Sequence, residues 1–292
     1  MNFSTHFVFY IVIGSFLLSC SNSEKSDNIE NDNLTRVERQ VVNANWTSTE
    51  VTKYVTWKYF HFDSLYDAKQ FVTVIDVNLN SDVVVDIPYV KEGFMKTSEA
   101  AINSRAFAAV NGSFFDTKIG GSTVFLRHNG EVVNETRTGF NPFRENAGFA
   151  VKEWGDISIV KRPSDDEGGW VSVEAKTLLA SGPLLIYEGI QLNQESNSFN
   201  NNRHPRTAAG VTKDNHLILL VVDGRSSDSH GMSINELSEF MHALGCVEAM
   251  NLDGGGSSTA WVNGEGVVNH PSDNKLFDND GERGVANAIV VK

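Results

Sequence analysis

Short β-branched segments that alternate with turn-forming residues are the feature of this sequence that most restricts its fold. Three pairs of segments flank tight turns, and each pair predicts a β-hairpin: 124–128 with 131–133, 149–152 with 157–160, and 207–212 with 216–222. Further strands are predicted at 106–110, 247–252, 259–262 and 286–291. Residues 71–79 alternate at a period of two, which predicts one buried face formed by Phe71, Thr73, Ile75, Val77 and Leu79.

Helices are predicted at only two places. Ser233 and Glu236 have the spacing of a capping box, and the apolar residues from Ile234 to Leu244 repeat on one helical face. A shorter helix is predicted with Ser98 as its N-cap. Because helices separate strands only twice, the sequence predicts a single α+β domain with a mixed, mostly antiparallel β-sheet and few helices.

The N-terminus is predicted to be a targeting segment. Residues 7–18 form an apolar run that is too short to span a bilayer, and Cys20 and a polar stretch follow it. This order resembles a bacterial lipoprotein signal, although no Lys or Arg precedes the run. The alternative is a buried core segment. We predict a signal peptide at 1–20, a flexible polar tether at 21–45 and a folded domain at 46–292.

These boundaries predict a protein of the bacterial cell envelope, on the periplasmic or outer-membrane surface, that contacts the membrane only through lipid on Cys20. Cys246 is the other cysteine of the sequence. If Cys20 carries lipid, Cys246 has no disulfide partner, and we predict that it is a small buried hydrophobic residue.

The charge of the chain argues against nucleic acid as a partner. The sequence has 24 Lys and Arg against 37 Asp and Glu, a formal net charge of −13. Binding to a phosphate backbone needs a basic surface. An anionic ligand would therefore have to be held by a local group of arginines and backbone amides.

A glycine-rich loop is the strongest candidate for a ligand site. It follows the predicted strand 247–252 and contains Asn251, Asp253, Gly254, Gly255, Gly256, Ser257 and Ser258. Glycines let the backbone turn several amides toward one point, and the carboxylate and hydroxyls add polar groups. The loop lacks the lysine and spacing of a Walker motif. The alternative is a tight turn between two strands.

Other polar residues lie at the ends of predicted strands. Arg206 and Arg225 could clamp an anion because guanidinium groups match phosphate oxygens, and Asp223 could add a carboxylate or form a surface ion pair. The Asn111 side chain and the Gly112 backbone could bind sugar hydroxyls, whereas the neighbouring Phe114 and Phe115 are more often core residues.

Three further residues complete the set of candidates. Glu282 and Arg283 precede the last predicted strand, and His230 stands alone in a loop as a proton shuttle or an incidental residue. No His/Cys set has zinc spacing, and no nucleophile elbow is present. We predict that no cofactor or metal is required; Asp-Gly-rich loops could hold Ca²⁺, but the EF-hand spacing is absent.

Taken together and in order, these motifs resemble the phosphodiester glycosidase family. The resemblance runs from about Ala100 to Lys292 and rests on Asn111-Gly112 with Phe115, Ser181-Gly182-Pro183, Arg206-Thr207-Ala208, Val222-Asp223-Gly224-Arg225, Gly231-Met232, Asn251 to Ser258, and Glu282-Arg283. Residues 46–99 show no such match. The resemblance implies hydrolysis of a sugar-1-phosphodiester at the anomeric carbon, with N-acetylglucosamine as a candidate sugar.

This chemistry gives each candidate residue a role. We expect Arg206, Arg225 and Arg283 to hold the phosphate, and Asp253 to act as nucleophile or base with Asp223 and Glu282 as partners. The remaining candidates would bind ligand oxygens: Asn111, Gly112, Asn251, Gly254 to Ser258, and His230. Two other classes stay open, a surface lipoprotein that binds glycans without cleaving them, and a hydrolase or lyase of phosphate-free polysaccharide.

Overall fold

An eight-stranded antiparallel sheet forms the centre of the molecule. The computed structural model describes Met1 and residues 34–292, and residues 36–292 form one compact unit. The strand order of the sheet is β1-β2-β3-β14-β13-β15-β11-β12. These strands are β1 (Thr47–Thr52), β2 (Val55–Leu65), β3 (Ala68–Asn78), β11 (Leu184–Tyr187), β12 (Ile190–Gln191), β13 (Arg206–Thr212), β14 (His216–Val222) and β15 (Cys246–Asn251).

Two five-stranded sheets, also antiparallel throughout, complete the β-structure. One has the order β7-β6-β10-β8-β9 and consists of β6 (Leu126–His128), β7 (Glu131–Asn134), β8 (Ala147–Val151), β9 (Ile157–Lys161) and β10 (Thr177–Ser181). The other has the order β17-β16-β5-β18-β4 and consists of β4 (Val85–Asp86), β5 (Ala108–Asn111), β16 (Ala260–Val262), β17 (Gly266–Val267) and β18 (Ala288–Val291).

Four α-helices lie among the described residues: α1 (Arg36–Val42), α2 (Thr97–Ser104), α3 (Ser198–Asn201) and α4 (Ile234–Ala243). Helices α1 and α4 share a hydrophobic cluster with one face of the eight-stranded sheet. Helix α2 packs on β5, β16 and β18. The mostly antiparallel sheets and few helices confirm the predicted α+β class.

Strand β3, inside the largest sheet, is buried on both faces, which corrects the prediction of one buried face for residues 71–79. Ile75 and Val77 join the cluster shared with the two smaller sheets, as the period of two predicts. Val72 and Val74 point the other way, into the cluster under α4, and are equally buried. A two-sided strand of this kind carries apolar residues at nearly every position.

The local turn and capping signals are confirmed. The three predicted hairpins are β6–β7, β8–β9 and β13–β14. At the start of α4 the Ser233 hydroxyl accepts from the Glu236 amide at 3.3 Å, and the Glu236 carboxylate accepts from the Ser233 amide at 2.8 Å. Gly245 follows the helix with a φ of 86°, the left-handed conformation that terminates helices.

Folded structure begins before residue 46, the predicted start of the domain. Helix α1 begins ten residues earlier, at Arg36, and buries Val37 and Val41 against the α4 side of the sheet. A short amphipathic segment in a polar stretch is stabilised by tertiary contacts rather than by its own sequence, so composition alone did not indicate it. The predicted signal peptide, Cys20 and most of the predicted tether lie outside the described residues.

Cys246 is a free cysteine at the start of β15 and is 2% exposed. Burial raises the pKa of its thiol. The residue is therefore the small buried hydrophobic group that the sequence predicts.

None of the helices among the described residues is long and apolar enough to cross a bilayer.

Candidate active site

The ends of strands from two sheets meet at Asp253. The Asp253 amide donates to the Gly112 carbonyl at 3.0 Å, directly after β5, and the preceding Leu252 amide donates to the Thr207 carbonyl of β13 at 2.8 Å. The carboxyl end of β15 is thus fixed between the largest sheet and the sheet that contains β5. This arrangement holds the Asp253 carboxylate at the base of a cleft.

The cleft has a volume of about 430 Å³ and combines aromatic, cationic and acidic side chains. Its lining includes Phe114, Phe115, Asp116, Thr117, Lys118, Thr123, Arg137, Phe140, Arg144, Asp253 and Arg283. Two of the predicted site residues, Asp253 and Arg283, therefore face the same space. The two phenylalanines of the 111–116 segment are both core and cleft residues, since Phe114 and Phe115 are buried and also line it.

The environment of Asp253 disfavours its charged form. Burial raises the pKa of the Asp253 carboxyl, and the nearby Ser257 hydroxyl and the charges of Arg144 and Arg283 act in the opposite direction. The Gly254 amide donates to its Oδ1 at 3.0 Å. A desolvated carboxylate facing cations in a cleft is a common property of catalytic acids, bases and nucleophiles.

Arg144 is the main site residue that sequence reasoning missed. It ends the 3₁₀ turn Pro142–Arg144, and its guanidinium carbon lies 4.2 Å from the ring centroid of Phe114 and 4.7 Å from that of Phe199. Its buried Nε has no hydrogen-bond partner, and no ion pair is found for this arginine among residues 34–292. Burial lowers the pKa of Arg144, whereas the negative charge of Asp253 raises it. Arg144 is thus an aromatic-caged cation with free donors beside the carboxylate.

The backbone that carries Arg144 is supported from below by Gly182. A β-carbon at Gly182 would lie 2.7 Å from the Phe143 carbonyl oxygen, so only glycine fits under the turn. The Asn251 side chain donates to the Gly182 carbonyl at 2.8 Å and to the Leu252 carbonyl. The buried Asn251 amide nitrogen thus joins the glycine-rich loop to this support. Its Oδ1 has no hydrogen-bond partner among residues 34–292, and its predicted ligand contact stays a prediction.

Arg283 lies on the opposite wall and is fixed by a carboxylate. Its guanidinium forms an ion pair with Asp273, with Nε donating at 3.1 Å. This pairing raises the pKa of Arg283. Gly256 lies directly beneath the pair, because a β-carbon there would overlap both the guanidinium and the Asp273 carboxylate. The third glycine of the loop is therefore required for the approach of Arg283.

Asp116 is the other carboxylate in the lining of the cleft. Arg137 donates to its Oδ2 at 2.6 Å, and the Lys118 and Ile119 amides approach its Oδ1. The Arg137 hydrogen bond, together with these amides, lowers the pKa of Asp116 to about 2. Asp116 is thus ionised and paired at neutral pH, which leaves Asp253 as the lining carboxylate without an arginine bound to it.

Asp223 is buried and bound within the protein, and its predicted catalytic role stays a prediction. Asp223 is 1% exposed, and both carboxylate oxygens are bound: Oδ1 accepts from Asn269 at 2.8 Å, and Oδ2 accepts from the His270 amide at 3.0 Å and contacts its Nδ1 at 2.8 Å. Its role is to fix the 269–270 segment to the end of β14. A strand end suits a structural carboxylate as well as a catalytic one.

Arg206 has structural contacts, and its predicted phosphate-binding role stays a prediction. It is 1% exposed, and its Nε and Nη2 donate to the carbonyls of Met232, Phe199 and Asn202. Burial, and then the charge of Arg144, lower the pKa of Arg206 to about 9. The residue is still protonated at neutral pH and holds three backbone segments together beneath the site.

Glu282 is not among the residues that line the Asp253 cleft, and both of its carboxylate oxygens contact Ser98; its predicted catalytic role stays a prediction. Its Oε1 accepts from the Ser98 amide at 2.8 Å and its Oε2 accepts from the Ser98 hydroxyl at 2.6 Å. Ser98 itself is not the N-cap of α2, a position that Lys96 occupies. Glu282 instead places a negative charge at the N-terminus of α2, where the helix dipole favours it.

Asn111 and Gly112 have packing and hydrogen-bonding roles within the protein, and their predicted ligand contacts stay predictions. The Asn111 amide donates to the Asp253 carbonyl at 2.8 Å, and its Oδ1 accepts from the Thr207 hydroxyl and the Thr259 amide. The Gly112 amide donates to the Asn287 carbonyl at 2.9 Å, and a side chain at Gly112 would overlap the Asn287 amide group. Both positions thus fix the backbone that carries Asp253.

Replacing Asn111 with alanine is expected to lower the free energy of unfolding by about 3 kcal/mol or more, because several buried polar groups would lose their partners at once. Urea denaturation measures this change. Asn80→Ala, at an exposed turn, is the control and should cost less than about 1 kcal/mol. A loss equally small for Asn111→Ala would contradict the structural role.

The backbone amides of Gly254 and Gly255, the first two glycines of the loop, donate hydrogen bonds to other parts of the protein. The Gly254 amide donates to Asp253, and the Gly255 amide donates to the Pro205 carbonyl at 2.8 Å; their predicted contacts with ligand stay predictions. The hydroxyls of Ser257 and Ser258 are buried and have no hydrogen-bond partner of good geometry among residues 34–292. Their predicted contact with ligand oxygens stays a prediction.

Two candidates lie at the surface outside the cleft lining. Arg225 is exposed with a φ of 62°, and its guanidinium lies over Gly255, where a β-carbon would be 2.9 Å from Nη2. Its predicted phosphate contact stays a prediction. His230 is also exposed, and its amide donates to the Lys69 carbonyl at 3.0 Å. Neither residue lines the cleft that holds Asp253.

Within the described part of the chain, no group of three or more His, Cys, Asp or Glu side chains is arranged to hold a metal ion. The predicted absence of a cofactor requirement stays a prediction.

The family model for phosphodiester glycosidases matches residues 104–292. The bovine protein N-acetylglucosamine-1-phosphodiester alpha-N-acetylglucosaminidase is 30% identical over 188 residues, which cover 60% of this chain and 34% of the bovine protein. Its human counterpart is 30% identical over 56% of this chain and 33% of its own length. The chain therefore spans about a third of the length of these relatives. The SPbeta prophage-derived uncharacterized protein YomE of Bacillus subtilis is 41% identical over 73 residues, 25% of this chain and 11% of that protein.

Two solved structures share the fold. The zebrafish N-acetylglucosamine-1-phosphodiester alpha-N-acetylglucosaminidase catalytic domain, auto-inhibited by its pro-peptide, aligns with a TM-score of 0.64 at 22% identity, over 85% of this chain and 87% of that one. A hypothetical protein from Synechocystis aligns with a TM-score of 0.62 at 16% identity, over 84% of this chain and 63% of that one. At these identities the likeness establishes the architecture alone.

Proposed function

The chain belongs to the phosphodiester glycosidase family, and from this premise we propose that it hydrolyses a sugar-1-phosphodiester at the anomeric carbon. One observation carries the proposal: a desolvated carboxylate, Asp253, shares a cleft with Arg144 and Arg283, whereas the third arginine of the lining, Arg137, is paired with Asp116. The cleavage of such a substrate needs one negative group near the sugar and positive groups near the phosphate. The cleft has both.

The reaction breaks the bond between the anomeric carbon and the phosphate oxygen. The departing phosphate monoester takes the electron pair, and water supplies a hydroxyl to the sugar and a proton to solvent or to the monoester. Positive charge develops on the sugar ring, where Asp253 acts as nucleophile or as the base that activates water. Negative charge develops on phosphate, where Arg144 and Arg283 stabilise it.

The proposal accounts for the single unpaired carboxylate. Most glycosidases use a second carboxyl group to protonate the leaving oxygen. A phosphate monoester leaves without such help, and Asp116, with a pKa lowered to about 2 by Arg137, is not a proton donor at neutral pH. A phosphate-free glycan would leave Arg144, which has no ion pair among residues 34–292, without an evident partner.

For the substrate, we propose an N-acetylglucosamine-1-phosphodiester, the group for which the bovine and human relatives are named.

For the location, we propose the bacterial cell envelope, with lipid on Cys20 as the anchor. Labelling cells with a radioactive fatty acid tests the anchor, and a Cys20→Ser variant that stays labelled would contradict it.

The activity is tested by ³¹P NMR with the purified full-length chain and a GlcNAc-1-phosphodiester. We expect a phosphodiester signal to be replaced by a monoester signal, and Asp156→Asn, at an exposed hairpin turn, to leave the rate unchanged. Binding without turnover would favour the glycan-binding alternative. Release of fragments from a phosphate-free polysaccharide, with the phosphodiester intact, would favour the other hydrolase or lyase.

A further inference from the structure

A cavity of about 530 Å³ lies at one end of the sheet β7-β6-β10-β8-β9. Three short segments form its walls: the β6–β7 turn at Asn129-Gly130, the β8–β9 turn around Trp154, and residues 174–176 before β10. The first and third segments are joined by a backbone hydrogen bond, which the Gly130 amide donates to the Lys176 carbonyl at 2.7 Å. The sheet therefore holds the walls of this cavity in place.

This cavity and the Asp253 cleft lie at opposite ends of the same strands. Thr123 and Arg144, which line the cleft, precede β6 and β8, whereas the β6–β7 and β8–β9 turns follow these strands. Strand β10 is antiparallel to both and ends next to Gly182, beneath the turn that carries Arg144. The five residues of β8 alone span about 17 Å, so one sugar ring cannot contact both sites.

Trp154 lies at the tip of the β8–β9 turn and is 90% exposed, so the faces of its indole ring are open to a ligand. The turn itself is closed by a hydrogen bond from the Gly155 amide to the Lys152 carbonyl at 3.0 Å, and Gly155 has a φ of 91°. Burial of an indole ring is a large source of folding free energy, which this ring does not use. The folded protein thus leaves a large aromatic surface beside the cavity.

The walls of the cavity carry charges of both signs. Two lysines, Lys152 and Lys176, and two glutamates, Glu153 and Glu174, line it. One of the lysines is close to a glutamate, with 3.6 Å between Lys176 Nζ and Glu153 Oε1. A ligand with a single sign of charge would be repelled by some of these groups. A neutral ligand rich in hydroxyls can instead donate hydrogen bonds to the carboxylates and accept them from the ammonium groups.

An indole face beside such polar groups matches a pyranose ring, which has an apolar C–H face and hydroxyls around its edge. The volume of about 530 Å³ is within the range of small-molecule sites. Exposed tryptophan and lysine also occur where proteins contact membranes, but Glu153 and Glu174 would be repelled by anionic headgroups.

We propose that Trp154 and the charged walls beside it form a binding site for a neutral pyranose unit of a glycan, separate from the Asp253 cleft. The site goes beyond the proposed hydrolysis and does not depend on it. A polysaccharide bound there would hold the protein in place while the cleft, at the other end of the sheet, stays open.

Affinity electrophoresis in native gels tests the site without requiring turnover. The probes are four neutral polysaccharides: soluble starch, mannan, galactomannan and xyloglucan. We expect at least one of them to retard the full-length chain. Trp154→Ala should weaken that binding about tenfold, because the ring no longer buries apolar area against the sugar, whereas Trp154→Tyr should keep most of it. Two controls should bind as the unmodified protein does: Ile190→Ala, at another exposed apolar side chain, and Asp253→Asn, in the cleft.

Retardation by none of the four polysaccharides would overturn the proposal, as would equal retardation of Trp154→Ala and the unmodified protein. Binding to phosphatidylglycerol vesicles that depends on Trp154, without retardation by any polysaccharide, would also overturn it and identify a membrane surface as the partner. Circular dichroism confirms that each variant is folded. The proposed function fails by a different result, because retardation that depends on Trp154 does not require hydrolysis of any phosphodiester.

Discussion

Replacing Asp253 with asparagine is expected to lower kcat for sugar-1-phosphodiester hydrolysis by about a thousandfold or more, the scale seen when a nucleophile or its base is removed. Asparagine keeps the size of the side chain and its acceptor for the Gly254 amide. It cannot attack the anomeric carbon or take a proton from water. The loss should therefore appear in kcat, with little change in substrate affinity.

The same substitution should leave the protein at least as stable as before at neutral pH. Burial raises the pKa of Asp253 above its unfolded value, so the folded state binds the proton more tightly than the unfolded state. The free energy of unfolding therefore falls as the pH rises above about 4, where the unfolded carboxyl ionises. Asparagine carries no such charge and removes this decrease.

Thermal denaturation from pH 4 to pH 8 measures this effect. We expect the Tm of Asp253→Asn to fall less steeply with pH than that of the unmodified protein, with Asp156→Asn following the unmodified curve. A folded Asp253→Asn variant with full turnover would contradict the catalytic assignment. A variant that unfolds at neutral pH would contradict the account of its burial.

Replacing Arg144 with glutamine should lower kcat/KM by about a hundredfold to a thousandfold, as is typical when one preorganised donor to a developing negative charge is lost. The aromatic cage excludes water from one side of the guanidinium, which strengthens its interaction with phosphate. Glutamine cannot replace either the charge or the paired donors.

Arg144→Gln should also move the acidic limb of the pH–rate profile to higher pH. Burial raises the pKa of Asp253, and the positive charge of Arg144 opposes that rise. Without the arginine the carboxyl keeps its proton to a higher pH, so the active carboxylate forms later in a titration. A limb that stays in place or moves to lower pH would contradict the coupling. Arg36→Gln, on the exposed side of α1, is the matched control.

The parts of the fold that depend on local signals could be predicted from the sequence. The Asn129-Gly130 turn of β6–β7 is one, since both residues adopt positive φ, and the Ser233–Glu236 capping box is another. The start of α1 could not be predicted, because Val37 and Val41 are stabilised by contacts with residues far along the chain.

Some residues of the candidate site could likewise be predicted from local sequence, and others could not. Asp253 could be predicted because strand, carboxylate and glycines are adjacent in the sequence. Arg144 could not, since its turn is brought to Asp253 by the long-range packing of Gly182 beneath it. The bound state of the Asp223 and Glu282 oxygens could not be predicted either, because strand-end position does not distinguish a free carboxylate from one that already accepts hydrogen bonds.

The central claim is that the protein cleaves the bond between the anomeric carbon and oxygen, and hydrolysis in H₂¹⁸O tests it most directly. The reaction of a GlcNAc-1-phosphodiester is followed by ³¹P NMR, in which ¹⁸O bound to phosphorus shifts the signal. We predict that the phosphate monoester product carries no ¹⁸O and that free GlcNAc is its partner product. A phosphate product that has gained ¹⁸O would mean cleavage between phosphorus and oxygen, and would contradict the account.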